Sequence, residues 1–161
     1  MNKRTLKNDF LQIEYLTDAL RIMGLTPAGK PNLLADLGDF FVPTPYGNYY
    51  FRGGHRLWHS PEAMPRTYIP DTPVTITDLP DGVILEAQTE PHTGIRKRIE
   101  IHLAADKPSI TLTHTLINDG LWPIELAPWT ITQFRLGGTV ILPMPVGKVD
   151  EAGLLSNRQI S

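Results

Sequence analysis

The sequence predicts an all-β protein, an antiparallel β-sandwich, and three observations support this prediction. The chain has 15 prolines and 13 glycines in 161 residues, and proline at this density disfavours long helices because it breaks them. Short segments in which apolar and polar residues alternate recur along the chain, which is typical of strands with one buried face. Turn-forming residues separate these segments, as in a chain of hairpins.

The strand pattern is clearest in the middle of the chain. Between positions 95 and 103 apolar residues alternate with charged residues and a histidine, which predicts a strand with one wet face. Pro80-Asp81-Gly82 separates two β-branched runs and predicts a hairpin turn. The predicted strands are 10–17, 20–25, 74–79, 83–87, 95–103, 110–118, 122–134 and 138–142.

Two regions do not fit the strand pattern. Residues 26–48 contain four prolines and three glycines, which predicts an irregular excursion with at most a short helical turn around 33–37. The tail from Glu151 to Ser161 is polar and has no clear final element. We therefore expect residues 1–161 to form a single β-sandwich domain that is part of a longer protein.

Composition excludes several classes of protein. Without cysteine the chain has no disulfides, no cysteine zinc site and no thiol nucleophile. With a net charge of -2, the chain lacks the excess of basic residues that is typical of nucleic-acid-binding proteins. We find neither an apolar run long enough to span a membrane nor a signal peptide, so we expect a cytoplasmic protein with no nucleic-acid or membrane partner.

The densest polar and aromatic cluster runs from Arg52 to Glu62, Arg-Gly-Gly-His-Arg-Leu-Trp-His-Ser-Pro-Glu. Its two glycines permit a tight turn. Trp58 offers a flat apolar surface, and the arginines offer forked hydrogen bonds to hydroxyl or phosphate groups. The cluster is therefore a candidate ligand site, or alternatively a loop anchored by Trp58 with solvated charges.

The histidines favour other interpretations more than a metal site. His55 and His59 share a face only on a strand, where they lie about 13 Å apart, so we predict no metal. His114 falls on the apolar face of its strand and is expected to be a hydrogen-bonded core residue. His92 lies in a turn and His102 on a polar face, where we expect both to be exposed.

A second aromatic segment follows, from position 121 to 134. On an ideal strand Trp129 and Gln133 share a face that mixes aromatic and polar residues, as a ligand wall does. A core strand kinked at its prolines is the other interpretation.

Together these segments resemble the galactose mutarotase-like superfamily, which includes aldose 1-epimerases and hexose-6-phosphate mutarotases. Leu11-Gln12-Ile13-Glu14-Tyr15 with the run from Asp18 to Ile22 is similar to the opening hairpin of that superfamily. Arg52-Gly53-Gly54 with Pro61 resembles its cleft segment, and the strand ending at Asn118 with the run 126–132 resembles its cleft strands. Gly-Gly-His-Arg-Leu-Trp and Ala-Pro-Trp resemble its uncharacterised bacterial branch. The resemblance covers the N-terminal half of a larger supersandwich.

The resemblance implies chemistry as well as a fold. Family enzymes interconvert sugar anomers without a cofactor, with a glutamate as the base and a histidine as the acid. Trp129 stands at the position of the acid histidine, and indole does not donate a proton at neutral pH. The base glutamate belongs to the C-terminal half of the family domain. Only Arg52 carries over, as a ligand-binding cation.

We therefore expect a carbohydrate-binding, mutarotase-like domain that takes a sugar or sugar phosphate and uses no cofactor. The predicted ligand-binding residues are Arg52, His55, Arg56, Trp58, Trp129 and Gln133. One alternative is an isomerase of the aldose 1-epimerase type, with His55 or His59 as the acid and the base outside this chain. Another is a non-enzymatic scaffold. Because half a sandwich leaves strand edges uncovered, we also expect a homodimer.

Overall fold

The computed structural model describes residues 2–71, 73–139 and 141. These residues form strands and loops without a helix. The strands are β1 Lys3–Lys7, β2 Leu11–Leu16, β3 Ile22–Pro27, β4 Asp36–Thr44, β5 Gly47–Gly53, β6 His55–Ser60, β7 Val74–Leu79, β8 Gly82–Ala87, β9 Ile95–Leu103, β10 Ile110–Asn118 and β11 Ala127–Thr132. Within that part of the chain, no helix is long and apolar enough to cross a membrane.

Two antiparallel sheets form a β-sandwich, as the sequence predicted. The first sheet has the strand order β1-β2-β3-β6-β11, and the second has the order β10-β9-β8-β7. The second sheet is a simple succession of hairpins, in which each strand pairs with the next along the chain. A separate two-stranded hairpin, β4-β5, lies between β3 and β6 in sequence.

The hydrophobic core lies between the two sheets. Residues from β2, β3 and β6 in the first sheet pack against residues from β8 and β9 in the second. The alternation in β9 explains this arrangement, because every second residue from Ile95 to Leu103 is buried and those between are half-exposed. Core members include Ile13, Ile22, Leu57, Val83, Leu85, Ile99 and Ile101.

The predicted strands with clear alternation are confirmed, and two regions differ. Residues 26–48 were expected to be irregular, but 36–44 pair with β5 in a hairpin. The hairpin accommodates its prolines and glycines because it is largely exposed and its register is irregular. Around 33–37, where at most a short helical turn was expected, the chain forms no helical turn, and Leu34 forms a β-bridge with Phe134. The predicted strand 122–134 shortens to β11 because 119–126 are irregular.

The C-terminal predictions fall at the limit of the described residues. The expected strand 138–142 extends beyond them, and the polar tail 151–161 lies outside them.

Candidate functional site

An aromatic cluster covers the outer face of the first sheet, on the side away from the core. Trp58 of β6 pairs directly with Trp129 of β11, and their rings meet edge to face with centroids 5.6 Å apart. Tyr49 and Tyr68 contact Trp58 from the other side, at 5.5 and 4.9 Å between centroids. Phe51 completes the group through Tyr49. We call Tyr49, Phe51, Trp58, Tyr68 and Trp129 the aromatic wall.

Arg56 lies across this wall. Its guanidinium is 4.3 Å from the centre of the Trp58 ring, within the range of a cation–π contact. The residue is only 7% exposed, and burial lowers the pKa of Arg56. Its Nη1 atom donates one long hydrogen bond, 3.4 Å, to Oε1 of Gln133. Its Nε atom is buried and has no hydrogen-bond partner among the described residues.

A fully buried arginine fixes the backbone behind the wall. Arg21 is 0% exposed and forms an ion pair with Asp71, with 2.7 Å between Nη2 and Oδ2. Its Nη1 atom donates to the carbonyl oxygens of Phe51 and Gly53, and its Nη2 atom to the hydroxyl of Tyr49. Arg21 therefore positions the end of β5 and the ring of Tyr49 without reaching solvent.

The turn from β5 into β6 depends on glycine. Gly54 has a φ of 65°, and a Cβ atom built there would lie 2.1 Å from the carbonyl oxygen of Ile22. Only glycine combines that left-handed conformation with such a close approach. The Gly-Gly pair in the sequence therefore marks the point where β6 enters the sheet, and this turn sets where Arg56 and Trp58 lie.

One carboxylate stands at the rim of the wall. The hydroxyl of Tyr68 donates a hydrogen bond to the exposed Glu62, and this bond raises the pKa of Tyr68. The rim thus offers a carboxylate acceptor beside Tyr68.

Four of the residues predicted from sequence come together at this face. Arg56, Trp58, Trp129 and Gln133 are linked by the contacts above. Arg52, by contrast, stacks over Tyr50, 5.0 Å from its ring centre, and its buried Nε atom has no hydrogen-bond partner among the described residues. The contacts that position Arg52 are thus with its own hairpin.

His55 lies on the opposite face of β6, toward the second sheet. Its Nε2 atom is 2.8 Å from Nε2 of His114 on β10, and its Nδ1 atom is 2.8 Å from the hydroxyl of Thr132 on β11. Burial, with smaller effects from His114 and Arg21, lowers the pKa of His55 from 6.5 to about 4. Burial also lowers the pKa of His114. His114 is therefore hydrogen-bonded, as the sequence predicted, but it is half-buried at the edge of the sandwich and not a core residue.

His59 also points into the sandwich, beside a buried ion pair. Nζ of Lys97 lies 2.5 Å from Oε1 of Glu90, and both residues are at most 5% exposed. Nε2 of His59 is 3.7 Å from the second carboxylate oxygen of Glu90, which is too long for a direct hydrogen bond. The hydroxyl of Thr93 donates to that oxygen. Despite the penalty of burial, these neighbours hold the pKa of Glu90 at about 2.

The remaining histidines lie away from the wall. His92 is exposed in its turn, as expected, and stacks on Tyr46. His102 is on the wet face of β9 and hydrogen-bonds Asp81 and Glu100. In the described part of the chain, no group of three or more potential ligand side chains could hold a metal ion.

Sequence reasoning missed Arg21, Tyr49, Phe51 and Tyr68. Arg21 stands alone between apolar neighbours, which is an unusual position for a charged residue in a buried strand. The run Asn-Tyr-Tyr-Phe-Arg at 48–52 is aromatic and flanked by glycines. The isolated Arg21 indicated burial and the aromatic run indicated a strand, but neither pattern showed which residues these side chains would contact.

No family model, curated protein or solved structure matches this chain. Its function is therefore argued from the geometry of the wall and from the residues themselves.

Proposed function

We propose that this protein binds a carbohydrate, a sugar or sugar phosphate, at the aromatic wall. The observation that carries the proposal is Arg56. Its guanidinium lies over Trp58, 4.3 Å from the ring centre, and makes only one long side-chain hydrogen bond among the described residues, from Nη1 to Gln133. The guanidinium therefore has N–H donors to spare, to which a ligand oxygen can bind.

The surroundings of Arg56 suit a polyhydroxylated ligand. The half-buried ring of Trp129 offers apolar surface against which the C–H face of a sugar ring can pack. The amide of Gln133 and the carboxylate of Glu62 supply acceptors, and Arg56 supplies planar donors. Flat apolar surface with a few placed polar groups is the usual composition of a small-molecule site.

The proposal concerns binding and includes no catalytic step. Both predicted acid histidines, His55 and His59, face the core, whereas Arg56 and Trp58 face away from it. The aromatic wall itself contributes no histidine, and Trp129 is no proton donor. The epimerase alternative therefore gains no support from the arrangement of these residues.

The resemblance to the galactose mutarotase-like superfamily agrees with this proposal. We include in it that the chain is the N-terminal part of such a domain and acts in the cytoplasm. The placement as an N-terminal part rests on the segments around Arg52-Gly53-Gly54 and Trp129, which resemble that part of the superfamily domain.

Fluorescence titration tests the proposal directly. Trp58 and Trp129 lie in the site, so neutral aldoses, then aldose phosphates, should change the tryptophan emission in a saturable manner. Arg56→Lys keeps the charge but loses the fork, and we expect it to weaken binding about 10-fold to 100-fold, the loss of one charged hydrogen bond. Trp129→Ala should weaken it as well.

Trp122→Ala is the matched control, because Trp122 is 77% exposed and lies outside the wall. This variant should keep the wild-type affinity. If no sugar or sugar phosphate alters the emission at millimolar concentration, and calorimetry detects no heat, the proposal is wrong. If Arg56→Lys bound the sugar as tightly as wild type, Arg56 would not be part of the binding site.

A further inference from the structure

Three arginine or lysine side chains are buried among the described residues, and one of them differs from the other two. Arg21 is 0% exposed, Lys97 3% and Arg56 7%. Arg21 and Lys97 each form an ion pair with a carboxylate, at 2.7 and 2.5 Å. No carboxylate of the described residues lies within ion-pair distance of Arg56, whose side chain bonds instead to the neutral amide of Gln133. Since arginine is rarely buried unless it is paired, Arg56 lacks a partner that the other two have.

The charged groups around Arg56 do not supply that partner. The charges of Arg21 and Asp71 shift the pKa of Arg56 in opposite directions, and these two residues neutralise each other in their own ion pair. Glu62 at the rim is exposed, where water screens its charge, and it accepts a hydrogen bond from Tyr68. The aromatic wall therefore holds one buried positive charge with no carboxylate of the described residues beside it.

The position of Arg56 connects this charge to the proposed sugar site. Arg56 pairs directly with Ile131, next to the pair formed by Trp58 and Trp129, so its side chain lies on the same face as both indole rings. An anionic group bound to Arg56 therefore brings the rest of its molecule beside the half-buried ring of Trp129. This arrangement favours a sugar that carries its own negative charge over a free inorganic anion, which would leave Trp129 without a contact.

Resting on the proposed function, we infer that the ligand is an acidic sugar, a uronic acid, whose carboxylate binds to Arg56. A carboxylate accepts the forked pair of N–H donors that a guanidinium presents. Gln133 gives its oxygen to Nη1 of Arg56, which leaves the NH₂ group of the same amide as a further donor next to the arginine.

The number of charges favours a carboxylate over a phosphate. A phosphate ester carries a charge of about −1.5 to −2 at pH 7, whereas Arg56 balances a single negative charge. Arg21, the other arginine that acts on the pKa of Arg56, is already paired and has no charge to spare. A monoanionic sugar is therefore matched by the wall, and a sugar phosphate is not.

The methyl ester of a uronic acid is the sharpest probe, because it keeps the ring and the hydroxyl groups but loses the charge. Tryptophan emission of the wild-type chain is titrated with glucuronate, galacturonate, their methyl esters, glucose and glucose 6-phosphate. We expect at least one uronate to bind about 10-fold to 100-fold more tightly than its own ester, the effect of one charged hydrogen-bonded pair. Glucose and glucose 6-phosphate should bind less tightly than that uronate.

Two substitutions separate the charge of Arg56 from its shape. Arg56→Gln removes the charge, and we expect it to bind the uronate and the ester equally. Arg56→Lys keeps the charge and should retain a preference for the uronate. Arg98→Gln is the matched control, because Arg98 pairs with Glu100 on the half-exposed face of the second sheet, and it should keep the wild-type preference. Circular dichroism establishes that each variant is folded, and the comparison of acid with ester in wild type needs no variant.

The outcomes distinguish this inference from the proposed function. If no sugar of any kind binds, the proposed function is wrong and the inference with it. If the esters or glucose bind as tightly as both uronates, sugar binding stands and the uronic acid is wrong. That is also the result expected if a carboxylate from another part of the longer protein already pairs with Arg56. Tighter binding of glucose 6-phosphate than of either uronate would identify a sugar phosphate and overturn the inference as well.

Discussion

The two sides of the sandwich place their charges in opposite ways. On the side of β1 and β7 the edges are charged, and Arg4 of β1 is joined to Asp78 of β7 across the sandwich by an ion pair of 2.8 Å. On the other side, which we call the open side, the two sheets end in β10 and β11, and neither strand carries a charged side chain. Behind these strands lie the buried pair Lys97–Glu90 and the buried His55, which contacts the half-buried His114.

The two sides differ in the interactions that hold the two sheets together. Where the core is aliphatic, the hydrophobic effect holds the sheets and charges are free to protect the surface. Near the open side, polar groups buried between the sheets bond to one another, as His55 does to His114 and Lys97 to Glu90. Such bonds are directional and favour one arrangement of the strands. The arrangement of the strands is therefore more tightly determined near the open side. The free energy of unfolding is also more sensitive there to the loss of one member of a polar pair.

Breaking the buried ion pair should have the largest effect. Glu90→Gln keeps the shape of the side chain but leaves the ammonium of Lys97, 3% exposed, without its counter-charge. Removing one partner of a buried pair costs about 3–5 kcal/mol. Urea unfolding should show this loss in the free energy of unfolding.

Glu86→Gln is the control for that measurement. Glu86 pairs with Arg96 on the half-exposed face of the second sheet, so its loss should be a small fraction of the loss in Glu90→Gln. If the two variants lost similar free energies of unfolding, the buried Lys97–Glu90 pair would contribute no more to stability than the half-exposed Arg96–Glu86 pair.

Acidification should weaken the open side next. The pKa of His55 is about 4 in the folded chain, while the unfolded chain takes up that proton near 6.5. The neutral form thus contributes stability above pH 6.5 that is lost as the pH falls toward 4, up to about 3 kcal/mol. The free energy of unfolding measured at a series of pH values checks this.

His55→Gln should flatten the pH dependence between 6.5 and 4, and His92→Gln, in an exposed turn, should leave it unchanged. The comparison between variants matters because the pKa of His102 is raised by Glu100 and Asp81. His102 therefore contributes stability at low pH that is lost as the pH rises. A wild-type slope retained in His55→Gln would rule out His55 as its source.

The smallest effect is expected on the charged side. Arg4 and Asp78 are 47% and 66% exposed, and an exposed ion pair contributes less than about 1 kcal/mol. Arg4→Gln should therefore lower the free energy of unfolding only slightly, and molar salt should remove the difference. A loss as large as that of Glu90→Gln would contradict the contrast between the two sides.

The second sheet could be predicted from the sequence because each of its strands has local signals. β9 alternates along its whole length, and the turn at Pro80-Asp81-Gly82 separates β7 from β8. β6 escaped prediction because nearly all its residues are buried on both faces, so it has no alternation to detect. The β4-β5 hairpin was missed because its prolines and glycines suggested an irregular segment.

The site could be predicted only in part, for a related reason. Trp58, Arg56 and Trp129 are conspicuous in the sequence, but which face of β6 each one occupies depends on the start of the strand. His55 and Arg56 are neighbours that end on opposite faces. Arg21 and Tyr49 meet through pairing between distant segments, which no local pattern records.

The pairing of β6 with β11 has a consequence for the order of folding. His55 and Thr132, which pair across these strands, are 77 residues apart in the chain, and all the hairpins of the second sheet lie between them. Contacts between distant segments form slowly because a long loop must close first. We therefore expect the hairpins to form early, and Trp129 to reach Trp58 in a late step. During refolding, sugar binding should appear after most of the strand signal has returned.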